Sequence, residues 1–154
     1  MFVCHGNICR SPMAEFIFKD MLEKQGMAQN FVVASSATST EEIWRGVGNP
    51  VYPPAKRELE KHGLCCDSKR AVQVTAADYD KYDYLIIMDD RNRRGLQWII
   101  KDDPKQKIHM LLDFAGRPGQ SIADPWYTGN FDITYDDVLE GCEGLLEYLL
   151  EHQM

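Results

Sequence analysis

The chain has 154 residues, 44% hydrophobic and 27% charged, which predicts one compact domain over residues 1–154 with a core large enough to need no disulfide staples. Twenty-four acidic residues against seventeen basic ones leave a net charge of −7. Such a surface repels nucleic acid and anionic membranes, so neither is an expected partner and any anion site must be a small local feature.

In chain order, Phe2-Val3-Cys4 reads as the tail of a strand. A helix is predicted from Ser11, with Pro12 at its first position, where a missing N–H costs nothing, and with Gly26 as its stop. Met13, Ile17, Met21 and Leu22 fall on one face of it. Phe31 to Ala34 reads as a second strand, and a helix after Pro54 carries Leu59 and stops at Gly63. The continuous apolar run from Tyr84 to Met88 predicts a strand buried on both faces. A helix around Asn92 to Ile100 and a strand from Ile108 to Leu112 follow. Val138, Cys142, Leu145 and Leu149 mark a long amphipathic C-terminal helix. Strands alternating with helices predict an α/β three-layer fold, a parallel sheet flanked by helices on both faces.

In such folds ligands sit beyond the carboxyl ends of the strands. The first such junction reads Val3-Cys4-His5-Gly6-Asn7-Ile8-Cys9-Arg10-Ser11-Pro12. A loop of this length can curl so that its N–H groups converge, with Gly6 and Asn7 best suited to left-handed conformations. The start of the helix adds positive potential, and the Arg10 guanidinium matches two oxygens of a phosphate. The same donors favour a thiolate at Cys4, placed for in-line attack on a bound phosphoryl group. Ser11 stands close enough in sequence to hydrogen-bond that sulfur. Taken singly, a cysteine near a strand end is a small buried hydrophobe and Ser-Pro a helix start. The ordered set at one junction points instead to chemistry.

Five cysteines, at 4, 9, 65, 66 and 142, form neither a secreted disulfide framework nor a metal pattern. His5, His62, His109 and His152 are scattered, and no metal or cofactor is implied. The apolar runs are too short for a transmembrane helix, and the start lacks the pattern of a signal peptide. The expectation is a cytoplasmic protein with free thiols.

The run from Cys4 to Glu15 resembles the phosphate-binding signature of the low molecular weight protein tyrosine phosphatases. Ser35-Ser36-Ala37-Thr38-Ser39, Gly48-Asn49-Pro50, Met88 to Asn92 and Asp124-Pro125-Trp126-Tyr127-Thr128-Gly129-Asn130 extend the likeness along the chain. The resemblance implies a four-stranded parallel sheet, no cofactor, and phosphotyrosine proteins as substrates with phosphate as product. It implies Cys4 as nucleophile, Arg10 as phosphoryl ligand and Asp124 as general acid. The remaining loop residues His5, Gly6, Asn7, Ile8, Cys9 and Ser11 would line the phosphate site. Asn7 and Ser35 would hold the loop in shape, and Ser11 would steady the thiolate. A carboxyl beside a doubly negative phosphate keeps its proton, so an aspartate suits the task, but residue chemistry alone does not choose Asp124 over Asp89 or Asp113. Trp126 and Tyr127, and Trp44 earlier, are candidate walls for a phenyl ring, although a loop aromatic also serves as a packing anchor.

Several positions depart from the family pattern. Few residues precede Cys4 in the first strand, and Glu41 stands near where an aromatic specificity residue often lies. A histidine that some members use behind the loop is missing, with Ser68 or Lys69 in its place. By resemblance Cys9 could pair reversibly with an oxidised Cys4; Cys65, Cys66 and Cys142 read as structural. Three alternatives share the scaffold or the loop: a thiol-linked arsenate reductase, a protein-arginine phosphatase and a binding module without turnover. The first needs a cysteine relay that Cys65 and Cys66 do not supply in place. The second tends to carry threonine where Ile8 stands. The third needs neither Cys4 nor Asp124.

Overall fold

A computed structural model describes residues 1–152. Four parallel strands form one sheet in the order β2-β1-β5-β6: β1 Phe2–Cys4, β2 Ser35–Ala37, β5 Leu85–Ile87 and β6 Ile108–Met110. A two-stranded antiparallel hairpin, β3 Ile43–Trp44 and β4 Val47–Gly48, stands apart from it. The helices are α1 Arg10–Lys24, α2 Pro53–Lys61, α3 Ala76–Lys81, α4 Asp90–Ile99, α5 Pro125–Thr128 and α6 Phe131–His152.

Alternation along the strands sends neighbouring side chains to opposite faces. Phe2, Cys4 and Ile86 join Met13, Ile17, Leu59, Val138 and Leu145 in the larger core, under α1, α2 and α6. Val3, Ile87 and Met110 meet Leu96 of α4 and Val74 on the other face. Leu85 packs with Tyr79 and Tyr82 around α3. This is the three-layer arrangement predicted from the alternation of elements. Among the described residues no helix is long and apolar enough to cross a membrane.

Three sequence expectations change. The second strand is Ser35–Ala37, not Phe31 to Ala34. Ala34 does accept a hydrogen bond from the Phe2 N–H (2.9 Å), but Val32 faces solvent, and the polar Ser35 and Ser36 are the buried pair. Serines are stable there because distant partners satisfy them: the Ser35 hydroxyl donates to Glu15 Oε1 at 2.6 Å. Helix α1 begins at Arg10, so Pro12 is its third residue, still within the turn whose N–H groups lack intrahelical partners. Gly6 does not take a left-handed conformation; Asn7 does, at φ 60°. Glycine suits position 6 for space, since a Cβ there would reach 3.3 Å from Glu42 Cγ.

β1 pairs on both sides, and Cys4 stands at its carboxyl end. Helix α1 starts six residues later, so the intervening loop lies over the end of the sheet. Backbone anchors fix that loop: the Thr38 N–H donates to Cys4 O (2.9 Å), Ser39 N–H to His5 O (3.1 Å), Tyr52 N–H to Ile8 O (2.9 Å) and Met13 N–H to Cys9 O (3.1 Å).

Candidate active site

Cys4 is buried, with its sulfur 3.0 Å from Ser11 Oγ and accepting the Asn7 backbone N–H at 3.3 Å. Behind them lies a chain of hydrogen bonds. Asn7 Nδ2 donates to Ser11 Oγ (2.7 Å) and to Ser35 Oγ (3.0 Å), while Asn7 Oδ1 accepts the Val72 N–H at 3.1 Å. Asparagine serves here because its short amide tolerates the left-handed backbone and still offers donors and an acceptor. Asn7 and Ser11 therefore sit beneath the loop, not in the cleft lining where the sequence reading also put them.

Lys69, not Ser68, occupies the place opposite Ser35. Its Nζ donates to Ser35 O at 2.9 Å and lies 3.6 Å from Glu15 Oε1; Ser68 is exposed. Burial pulls the Lys69 ammonium down from its ordinary value, although Glu15 holds the charge. Glu15 also pairs with Lys19 at the next turn of α1.

Arg10 is 2% exposed, and three of its five N–H donors are paired within the protein. Nη1 donates to Asp89 Oδ2 (2.6 Å) and to the Ile122 carbonyl (2.9 Å), and Nη2 to Asp124 Oδ2 (3.4 Å). Burial works against this charge, yet Cys4, Asp89 and Asp124 together push the guanidinium above its ordinary value. Asp89 does two things at once, since its Oδ1 also caps α4 by accepting the Asn92 N–H at 2.9 Å. Sequence reasoning weighed Asp89 only as an alternative acid to Asp124, not as a partner of Arg10. The pairing of Asp89 with Asn92 three positions on, a capping box, marks the start of α4 in the sequence but not the contact with Arg10.

Asp124 caps the short α5, Oδ1 accepting the Trp126 N–H at 3.1 Å. Its carboxyl faces a small cleft of about 110 Å³ lined by Cys4, His5, Gly6, Ile8, Cys9, Arg10, Glu41, Glu42, Asp124, Trp126 and Tyr127. Trp126 is half-exposed and rests on Tyr52, with ring centroids 4.7 Å apart. Trp44 lies elsewhere, on β3, 74% exposed and outside this lining, with Arg45 over its ring. Glu41, read from the sequence as a departure near a specificity position, and Glu42, given no role there, both belong to the lining.

Cys9 lines the same cleft, and it and Cys4 are both free thiols. Burial first, then the neighbouring Cys4 and Asp124, push the Cys9 thiol far above its ordinary value despite Arg10. Cys142 is buried in the core, and Cys66 is buried with its thiol pushed up to about 11, whereas Cys65 is exposed and has no packing role. The cleft thus combines a sulfur at its floor, a locked guanidinium and a helix start without acidic residues in its first turn. An anion is the guest that such donors attract.

Residues 1–154 match the family described as Low molecular weight phosphotyrosine protein phosphatase. The Low molecular weight protein-tyrosine-phosphatase YfkJ of Bacillus subtilis (strain 168) is 37% identical over 147 residues, 95% of this chain and 92% of that protein. Its crystal structure matches with a TM-score of 0.92 over 99% of this chain and 94% of that one. The rat Low molecular weight phosphotyrosine protein phosphatase is 34% identical over 151 residues, 96% of this chain and 92% of that protein. A Drosophila arginine phosphatase matches with a TM-score of 0.83 at 31% identity, over 96% of this chain and 94% of that one. With one fold, one signature loop and matches that run the length of the chain, the protein belongs to the low molecular weight phosphotyrosine protein phosphatase family.

Proposed function

We propose that this phosphatase hydrolyses phosphotyrosine in proteins, and small aryl phosphates, through a cysteinyl-phosphate intermediate. The observation that carries the reading is the convergence on one cleft of the Cys4 sulfur, the Arg10 fork and the Asp124 carboxyl. The phosphoryl dianion takes the Arg10 donors that Asp124 accepts in the free protein, and the N–H groups at the start of α1 share its charge. The Cys4 thiolate attacks phosphorus in line; the S–P bond forms as the P–O bond to the ring breaks. Asp124 gives its proton to the departing phenolate oxygen, then takes one from the water that attacks the phosphocysteine. The S–P bond breaks, inorganic phosphate leaves, and the Ser11 hydroxyl hydrogen-bonds the returning thiolate. Trp126, braced by Tyr52, offers a face for the substrate ring.

Ile8 lines the cleft and supports an aryl over a guanidino substrate, since its branched apolar side chain offers that group no acceptor. Comparing phosphotyrosine and phosphoarginine peptides tests this directly. Cys4→Ser is expected to abolish hydrolysis of p-nitrophenyl phosphate. Asp124→Ala should lower kcat on the order of a hundredfold or more, most for substrates with poor leaving groups. Full activity in Cys4→Ser would overturn the mechanism.

A further inference from the structure

Two stretches of the cleft lining differ in chemistry. Trp126 and Tyr127 supply an aromatic stretch; Glu41 and Glu42, just before β3, supply an acidic one. Carboxylates at the mouth of an anion site oppose the entry of a bare phosphate dianion. Stacking on an aromatic wall is indifferent to what flanks a tyrosine, so charge discrimination must come from the acidic side.

Both glutamates are held by built contacts. The Glu42 carbonyl accepts the Asn49 N–H at 2.8 Å, and its Oε1 accepts from Asn49 Nδ2 at 3.1 Å. The Glu41 N–H donates to Ser39 Oγ at 3.4 Å, and its Oε2 lies 2.9 Å from His5 Nε2. His5 follows the nucleophile directly, and its carbonyl accepts from both the N–H and the hydroxyl of Ser39. The loop over the sheet therefore also fixes where Glu41 stands. His5 engages one Glu41 oxygen and leaves the other without a hydrogen bond among the described residues.

We propose that Glu41 and Glu42, with His5 as a positioning residue, select phosphotyrosine substrates that carry a lysine or arginine side chain beside the phosphotyrosine. The inference rests on the phosphatase reading above and names the substrate class of that same site. A cationic neighbour satisfies the two carboxylates and cancels their repulsion of the phosphate; an acidic neighbour adds to it.

The test measures kcat/KM for two phosphotyrosine peptides that differ only in flanking residues, lysine in one and glutamate in the other, with p-nitrophenyl phosphate alongside. Each exposed ion pair accounts for up to about fivefold, so the wild type should prefer the basic peptide by roughly 10- to 20-fold. That ratio should shrink on adding about 0.3 M salt. Glu41→Gln combined with Glu42→Gln should bring it close to unity while lowering KM for p-nitrophenyl phosphate. His5→Leu should lose part of the preference, and His5→Gln, whose amide still reaches Glu41, should keep it. A ratio unmoved by the double substitution, or a wild-type preference for the acidic peptide, overturns the proposal. A wild-type protein inert towards p-nitrophenyl phosphate would strike the phosphatase reading itself and this inference with it, so the two failures are told apart.

Discussion

Asn7 carries a left-handed backbone and three side-chain hydrogen bonds behind Cys4. Asn7→Ala removes the bonds and leaves a residue ill suited to positive φ, for a loss of about 3 kcal/mol. In a domain of this size that lowers Tm by roughly 6–12 °C. Asn7→Gly should recover the backbone part alone and melt between the two. Both should lose kcat/KM on the order of a hundredfold, because a misplaced sulfur costs alignment whatever the stability. Calorimetry with steady-state kinetics checks this, and an alanine variant as stable as the wild type would contradict it. The chemistry of Asn7 was legible in the sequence, since few residues accept that conformation. Asp89 was not, because its claim on Arg10 depends on a residue 79 positions away.

Helix α6 approaches the turn after β6 very closely. A Cβ at Gly144 would overlap the carbonyl of Phe114, and one at Gly141 would overlap the Leu111 side chain. Replacing an open mid-helix glycine with alanine stabilises by about 1 kcal/mol. Here Gly144→Ala should instead destabilise by about 1–3 kcal/mol, as the helix is pushed off the turn. Thermal unfolding decides it; a higher Tm would show that the helix is free to shift. The helices with apolar stripes were readable from spacing because one face of each meets the core. β2 was misread because apolarity favoured Phe31 to Ala34, while the pairing with β1 selects Ser35–Ala37. The β3–β4 hairpin was missed for a similar reason: its backbone pairing is local, but Ile43 and Trp44 show no alternation long enough to mark a strand.

Over the whole molecule, buried thiols set an alkaline limit. Burial pushes Cys9 and Cys142 far above the ordinary value of 9.0 and Cys66 up to about 11. The unfolded chain releases those protons near pH 9, while the fold retains them. Their contribution is whole below that pH and is lost above it, at about 1.4 kcal/mol per pH unit for each thiol. Cys66 contributes to the fall only up to its folded value. Lys69, held low by burial, acts with the opposite sign as pH rises towards the ordinary lysine value, and one such group does not offset three. Denaturant midpoints should therefore fall steeply between pH 9 and 11. Cys142→Ala should flatten that fall by one thiol's share, and an unchanged slope would count against the account. Exposed Cys65 should be alkylated well before Cys9, Cys66 or Cys142 in the native protein, as mass spectrometry can follow.

By itself the sequence determined the alternation of strands and helices, the curl between Cys4 and Arg10, and which residue types could bind an anion there. Those are local properties: periodicity, backbone tolerance and the chemistry of neighbours along the chain. Only the tertiary structure decided that Ser35 is buried, that Lys69 stands behind the loop, that Asp89 and Asp124 share Arg10, and that Glu41 and Glu42 line the cleft while Trp44 does not. A polar group is stable inside a protein only when a partner meets it, and for Ser35, Lys69, Asp89 and Asp124 that partner comes from a distant part of the chain.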